Sequence, residues 1–266
     1  MILYSVVTIC RNEKDNITRT IESVLNQTFT DYQYIIIDGL STDGTLEIIE
    51  SYREKFLEKH VELIVISEKD SGIYDAMNKG ALLSDGEFVN MLNAGDCFAD
   101  NNVLANMSQR IDQKADVIYG NANAISIRSK GKMRIYPLEP QNLNTITRTM
   151  PFIHQTVFVK TKLLKENLFD EKYKIAADYK FCLTMYLNER KFQYVDIYIV
   201  DYYLDGVSSQ NIIKTEKEFA AIREEAGLIN SKSFSMKIYF FRIRMMSIIR
   251  KITPRWFRAI FGGGKI

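Results

Sequence analysis

Four apolar runs in the first hundred residues stop at side chains able to do chemistry: Thr8 to Glu13 in "TICRNE", Asp38 to Asp43 in "DGLSTD", Glu68 to Gly72 in "EKDSG", and Asn93 to Asp96 in "NAGD". One such ending has an ordinary explanation, since Asn, Asp and Gly favour turns for local backbone reasons. Four in series are expected to form a site. Carboxylates held this way are oxygen ligands, suited to a hard divalent cation such as Mg2+ or Mn2+ bound together with a substrate's phosphates.

Other chemistries are excluded by what the chain lacks. It has no GxxxxGK[ST] loop, no GxGxxG after its first apolar run and no HExxH, which counts against a P-loop, a dinucleotide fold and a zincin. Two histidines cannot build a His-rich zinc centre. Three cysteines (Cys10, Cys97, Cys182) without CxxC spacing argue against both a disulfide framework and a thiolate metal site, and suggest a reducing compartment. The opening "MILYSVVTICRNE" reads as a strand and not as a signal peptide, and no apolar run approaches the roughly 20 residues that span a bilayer.

The elements that must position these residues alternate. "YSVVTIC", "YQYIIIDG", "VELIVIS" and "EFVNML" read as strands; "DNITRTIESVLNQTF", "STDGTLEIIESYREKFLEK" and "GIYDAMNKGALLS" carry apolar residues at helical spacing. Tyr74 and Met77 are expected to pack the third helix onto the sheet. "NNVLANMSQRI" looks helical and "ADVIYGNANAIS" extended. Repeated strand–helix–strand units predict an α/β fold with a mostly parallel sheet and helices on both faces, whose ligands bind beyond the carboxyl ends of the strands. After a polar segment from Pro137 to Met150 come a short strand ("HQTVFVK"), a helix ("AADYKFCLTMYLNER" with Phe181, Leu183 and Leu187 inward), a strand ("FQYVDIYIVDYYL"), a turn ("GVSS") and a helix from Lys214 to Leu228.

Taken together, "VVTICRNEKDNITRTIESVLNQTF", "IIIDGLSTDGT", "SEKDSGIYDAMNKG" and "MLNAGD" resemble the family-2 glycosyltransferases of GT-A fold, over roughly residues 3 to 210. The third stretch and "HQTVF" are similar to a bacterial subgroup that builds exopolysaccharide, capsule or O-antigen. The resemblance implies an inverting transferase with a nucleotide-diphosphate sugar donor, UDP favoured, and a glycan or lipid-linked glycan acceptor. It also implies roles. Thr8, Arg11 and Glu13 would line base and ribose, Asp38 would contact the base or ribose, and Asp70 would lie near the nucleotide. The family usually writes two adjacent aspartates where this chain has Asp38-Gly39, and Asp43 is expected to cap the following helix. "NAGD" stands in place of an Asp-x-Asp metal motif, with Asn93 and Gly95 where carboxylates often stand. Asp96 is left as the anionic metal ligand, and Asn93 as an amide contact. Asp178 matches the catalytic base, with Ala177 where an acidic residue often precedes it. His154 and Gln155 match a loop near acceptor or diphosphate, and Ser208 and Ser209 a late turn over phosphate.

Charge is lopsided. Nine of the 35 basic residues lie beyond Ser231, whereas all 33 acidic residues precede it. This divides the chain into a GT-A catalytic domain at 1–230, with a nucleotide-binding half at 1–120 and an acceptor-side half at 121–230, and a basic amphipathic extension at 231–266. The extension suits the cytoplasmic face of an inner membrane, a cytoplasmic enzyme being peripheral there; packing on the body or on a second subunit is the other reading. Nothing else in the chain supports nucleic-acid binding. Two alternatives to an active transferase stand: a catalytically silent sugar-nucleotide-binding or scaffold protein, favoured by the thinned carboxylates, and a nucleotidyltransferase, whose Gly-rich basic loop is missing from "TICRNEKDN".

Overall fold

A computed structural model describes residues 2–127, 133–203 and 212–230; the turn with Ser208 and Ser209 and the basic extension lie outside them. Met1–Leu204 forms one compact unit and the chain from Asp205 a second, in which α8 (Ile212–Glu225) is described. Among the described residues no helix is long and apolar enough to cross a membrane.

Three β-branched-rich strands build the first half: β1 (Tyr4–Cys10), β2 (Tyr32–Asp38) and β3 (Glu62–Ser67). They pair in parallel with β4 (Phe88–Met91) in the order β3-β2-β1-β4. Every residue of β1, β2 and β4 is buried, as a sheet covered on both faces requires. The covering helices are α1 (Ile17–Leu25), α2 (Thr45–Glu50), α3 (Arg53–Glu58) and α4 (Ile73–Leu83). The single helix expected over 45–59 is therefore two, parted at Ser51 and Tyr52, where the Tyr52 ring is buried and its hydroxyl reaches Glu22.

The second half extends the sheet with mixed direction. β8 (Phe158–Lys160) joins β4 antiparallel, then follow β6 (Val117–Ile127), β9 (Phe192–Tyr203) and the two-residue β5 (Cys97–Phe98). β7 (Met133–Leu138), not anticipated from the sequence, pairs with β6. Between strands lie α5 (Val103–Ser108), α6 (Thr161–Glu166) and α7 (Ala177–Leu187). Phe181 and Leu183 of α7 are buried as expected, but Leu187, at the last turn, is 43% exposed.

Candidate active site

The parallel order brings the ends of β1, β2, β3 and β4 to one edge of the sheet. The loops beyond β1 and β2 interlock there. The Asn12 side chain accepts from Thr42 N–H, and its own N–H donates to Ser41 Oγ. Asp43 accepts from Thr45 N–H at 3.0 Å at the start of α2, the capping role expected of it. Arg11 is exposed and Glu13 half-buried, the latter accepting from the Asn16 amide at 2.9 Å.

Two expected ligand contacts sit deeper than their strand-end position implied. Thr8 is fully buried, its hydroxyl donating to Leu92 O at 2.8 Å and accepting from Tyr34 at 2.9 Å, so it ties β1 to the end of β4. Asp38 is also fully buried. Its carboxylate accepts from Ser41 N–H at 3.1 Å, from Ser67 Oγ at 2.6 Å and from Ser41 Oγ, which holds the loops after β2 and β3 together. The carboxylate that does reach this edge is Asp70, partly exposed in the loop before α4. A methyl group built on Gly39 would collide with the Asp70 carboxylate and come within 3.3 Å of Arg11 Cδ. Asp70 thus occupies the volume that a second aspartate after Asp38 would need. Leu40, which sequence reasoning passed over, is 51% exposed on a left-handed backbone (φ 55°), an uncommon state for a branched residue.

At the end of β4 the chain turns through Gly95 at φ 97°, a conformation glycine adopts without steric cost. Thr20 of α1 pins this turn, accepting from Gly95 N–H and donating to Asp96 O, both at 2.8 Å. Asp96 is 6% exposed. One carboxylate oxygen accepts from Gln155 Nε2 at 2.7 Å, the other from Tyr203 N–H at 3.1 Å. Burial lifts its pKa to about 6, although those two donors and nearby Arg19 pull it down. Arg19 stacks on the Tyr203 ring, 3.9 Å from its centroid.

Beside this turn His154 links two distant parts of the chain. Its Nε2 lies 3.2 Å from Asn93 Nδ2, and its Nδ1 3.5 Å from the Asp178 carboxylate. With the Asn93 amide donating, the proton of a neutral ring sits on Nδ1, facing Asp178. Burial holds this imidazole below its ordinary pKa, against the opposing pull of Asp178, so the ring is neutral at pH 7. The other Asp178 oxygen accepts from Tyr74 Oη at 3.0 Å. Asn93, Asp96, His154, Gln155 and Asp178 are therefore joined by direct contacts; Ser208 and Ser209 lie outside the described residues.

Among the described residues no three His, Cys, Asp or Glu side chains cluster as a metal site. The oxygens present nevertheless suit a hard cation. Asp96 offers one carboxylate, and the buried amide oxygens of Asn93 and Gln155 have no hydrogen-bond partner. A cation that keeps several waters and takes phosphate oxygens needs few protein ligands.

A family model described as glycosyl transferase family 2 matches residues 5–169. A PGL/p-HBAD biosynthesis glycosyltransferase of Mycobacterium bovis is 25% identical over 223 residues, covering 82% of each chain. The poly(ribitol-phosphate) beta-N-acetylglucosaminyltransferase TarS of Staphylococcus aureus is 26% identical over 196 residues, which cover 72% of this chain but 34% of that protein. The crystal structure of S. aureus TarS 1–349 with UDP has a TM-score of 0.64 at 25% identity, over 83% of this chain and 65% of that one. A Pyrobaculum calidifontis mannosyltransferase solved with GDP-Man and Mn2+ shares the fold at 13% identity and a TM-score of 0.64, over 99% of this chain and 76% of its own. These likenesses show the GT-A-like α/β fold.

Proposed function

The chain belongs to glycosyl transferase family 2, and from that premise we propose an inverting transferase that moves a sugar from a nucleotide-diphosphate donor to a glycan or lipid-linked glycan acceptor in cell-surface polysaccharide synthesis. A UDP-sugar is favoured because S. aureus TarS was solved with UDP and with UDP-GlcNAc. The observation that carries the reading is the Asn93–His154–Asp178 bridge, which sets a carboxylate beside the motif that would hold the diphosphate.

Asp178, held from two sides, accepts the proton of an acceptor hydroxyl. The hydroxyl oxygen forms its bond to the anomeric carbon on the face opposite the leaving group. The bond from that carbon to the phosphate oxygen breaks, its electron pair staying on the nucleoside diphosphate. One displacement inverts the configuration. Mg2+ or Mn2+ held at Asp96, with the amide oxygens of Asn93 and Gln155 beside it, would supply positive charge to the departing diphosphate. Arg11, Glu13 and Asp70 would face the nucleoside, and Asp38 and Thr8 would shape the loops that hold it. Ser208 and Ser209 would close over phosphate. The catalytic domain would span 1–230, and the basic extension at 231–266 would rest on an anionic membrane surface.

A panel of nucleotide-diphosphate sugars, with and without Mn2+, tests this by release of nucleoside diphosphate. Asp178→Asn is expected to lower release about 10²-fold or more while leaving donor affinity nearly intact; near-normal turnover removes Asp178 from its role. A silent sugar-nucleotide binder is the second reading, favoured by the internally satisfied Asp38 carboxylate. It would bind donor and release nothing even with acceptor present. Release of pyrophosphate from a nucleoside triphosphate would instead mark a nucleotidyltransferase.

A further inference from the structure

The Tyr74 ring packs as the apolar pattern of α4 requires, 5.7 Å from Phe169 and 5% exposed. Packing leaves its hydroxyl unexplained. That hydroxyl crosses to α7 and donates to Asp178 Oδ1 at 3.0 Å, a contact between residues 104 apart in the chain. The phenol therefore grips the carboxylate on the first turn of α7.

We infer that Tyr74 is a positioning residue for the base: it holds the Asp178 carboxylate on the first turn of α7, with Oδ1 occupied and Oδ2 turned toward His154. The role rests on Asp178 being the base. Two features favour it over simple filling. A phenylalanine would fill the same space with no hydroxyl to satisfy, yet this hydroxyl is spent on Asp178. The segment that carries Tyr74 begins at the Asp70 loop, so the base is anchored to the element that follows the nucleoside edge.

The titratable groups acting on Asp178 are Tyr74 from α4, His154 from the turn before β8, and Cys182 one turn along α7. The experiment is a pH titration of the Asp178 side-chain carboxyl carbon by 13C NMR in the full chain without ligand, its signal assigned by its loss in Asp178→Asn. A hydrogen bond to a charged group accounts for about one pH unit or more, so Tyr74→Phe should raise the midpoint by about that much. Replacing Tyr74 with 3-fluorotyrosine keeps the ring but makes a stronger donor, and should lower the midpoint. Opposite shifts from the two changes establish the grip; a midpoint that neither change moves overturns it. In a nucleotide-diphosphate release assay, Tyr74→Phe should cost roughly tenfold or more in turnover with donor affinity unchanged. Full turnover in Tyr74→Phe also overturns the role. If the midpoints move as expected but Asp178→Asn keeps full turnover, the base assignment itself has failed, and the positioning role falls with it.

Discussion

Asp96→Asn should make the ligand-free protein more stable at pH 8 while depriving it of activity. Asp96 is 6% exposed, and burial raises its pKa from 3.8 to about 6 in the folded protein. A carboxyl with a raised folded pKa costs nothing below its unfolded value, where both states are protonated. As pH rises from 3.8 to about 6 the unfolded chain ionises first, and stability is progressively lost. Above pH 6 the full penalty applies, on the order of 3 kcal/mol. Asparagine cannot ionise, so it escapes that penalty. Its oxygen can still accept from Tyr203 N–H, and its amide can donate to Gln155 Oε1, which has no partner in the native protein. Rotating the Gln155 amide leaves its NH2 group to find a partner, which reduces the gain to about 1–2 kcal/mol. For a protein of this size that corresponds to a rise in Tm of roughly 2–4 °C. Thermal denaturation followed by circular dichroism, with EDTA and no donor, would measure it at pH 8 and again near pH 4, where the advantage should vanish. A variant less stable than the native protein at pH 8 would refute the reasoning, because Asp96 would then be a net stabiliser. The expected result has a functional meaning. A carboxylate kept buried against its own stability is kept for something that arrives later.

Two further substitutions separate ligand geometry from fold. Gly39→Ala places a methyl group against the Asp70 carboxylate and 3.3 Å from Arg11 Cδ, both ends of mobile side chains. Stability should change by less than about 1 kcal/mol, whereas UDP affinity by calorimetry should fall about tenfold, as in Asp70→Ala; unchanged affinity in both would remove Asp70 from the nucleoside site. Gly86→Ala meets backbone instead, Tyr4 C at 2.5 Å and Ser5 N at 2.6 Å, neither of which can yield. Urea denaturation should show a loss of about 3 kcal/mol, and a loss under about 1 kcal/mol would mean that β1 shifts more freely than its buried neighbours permit.

The first half of the fold was legible because β1, β2 and β4 are buried on both faces and β3 is only partly exposed, so all four announce themselves as apolar runs. Met133–Leu138 was not, since its side chains are mostly exposed and Pro137 interrupts it; only pairing with β6 makes it a strand. The same asymmetry governs the site. A polar residue ending an apolar run marks a strand end, but the mark is the same whether the side chain meets a ligand or its own loop. Asp38 and Thr8 illustrate the second outcome, their partners Ser41, Ser67, Leu92 and Tyr34 being set by tertiary packing. Tyr74 shows the converse. Its place in the periodicity of α4 accounts for the ring completely, and no local signal points to a hydroxyl partner on α7.

Gly39 and Gly95, where the family resemblance leads one to expect carboxylates, differ in the charge that stands beside them. At Gly39 the volume a side chain would fill holds the Asp70 carboxylate, delivered from the loop after β3, so this edge carries negative charge. At Gly95 the neighbour is a cation. A methyl group there would lie 3.1 Å from Arg19 Nη2, and Arg19 in turn lowers the pKa that burial raises at Asp96. One edge thus places a carboxylate beside its glycine and the other a guanidinium. An anionic diphosphate is repelled by every unneutralised carboxylate at van der Waals range, by about 4 kcal/mol per pair of unit charges at 4 Å in an effective dielectric of 20. Glycine at position 95 with Arg19 close therefore lessens the charge that a cation would have to offset if a diphosphate entered here, as proposed. On the proposed reading the asymmetry suits what each end would face: a nucleoside that offers hydrogen-bond donors on one side, and a leaving group that gathers negative charge on the other.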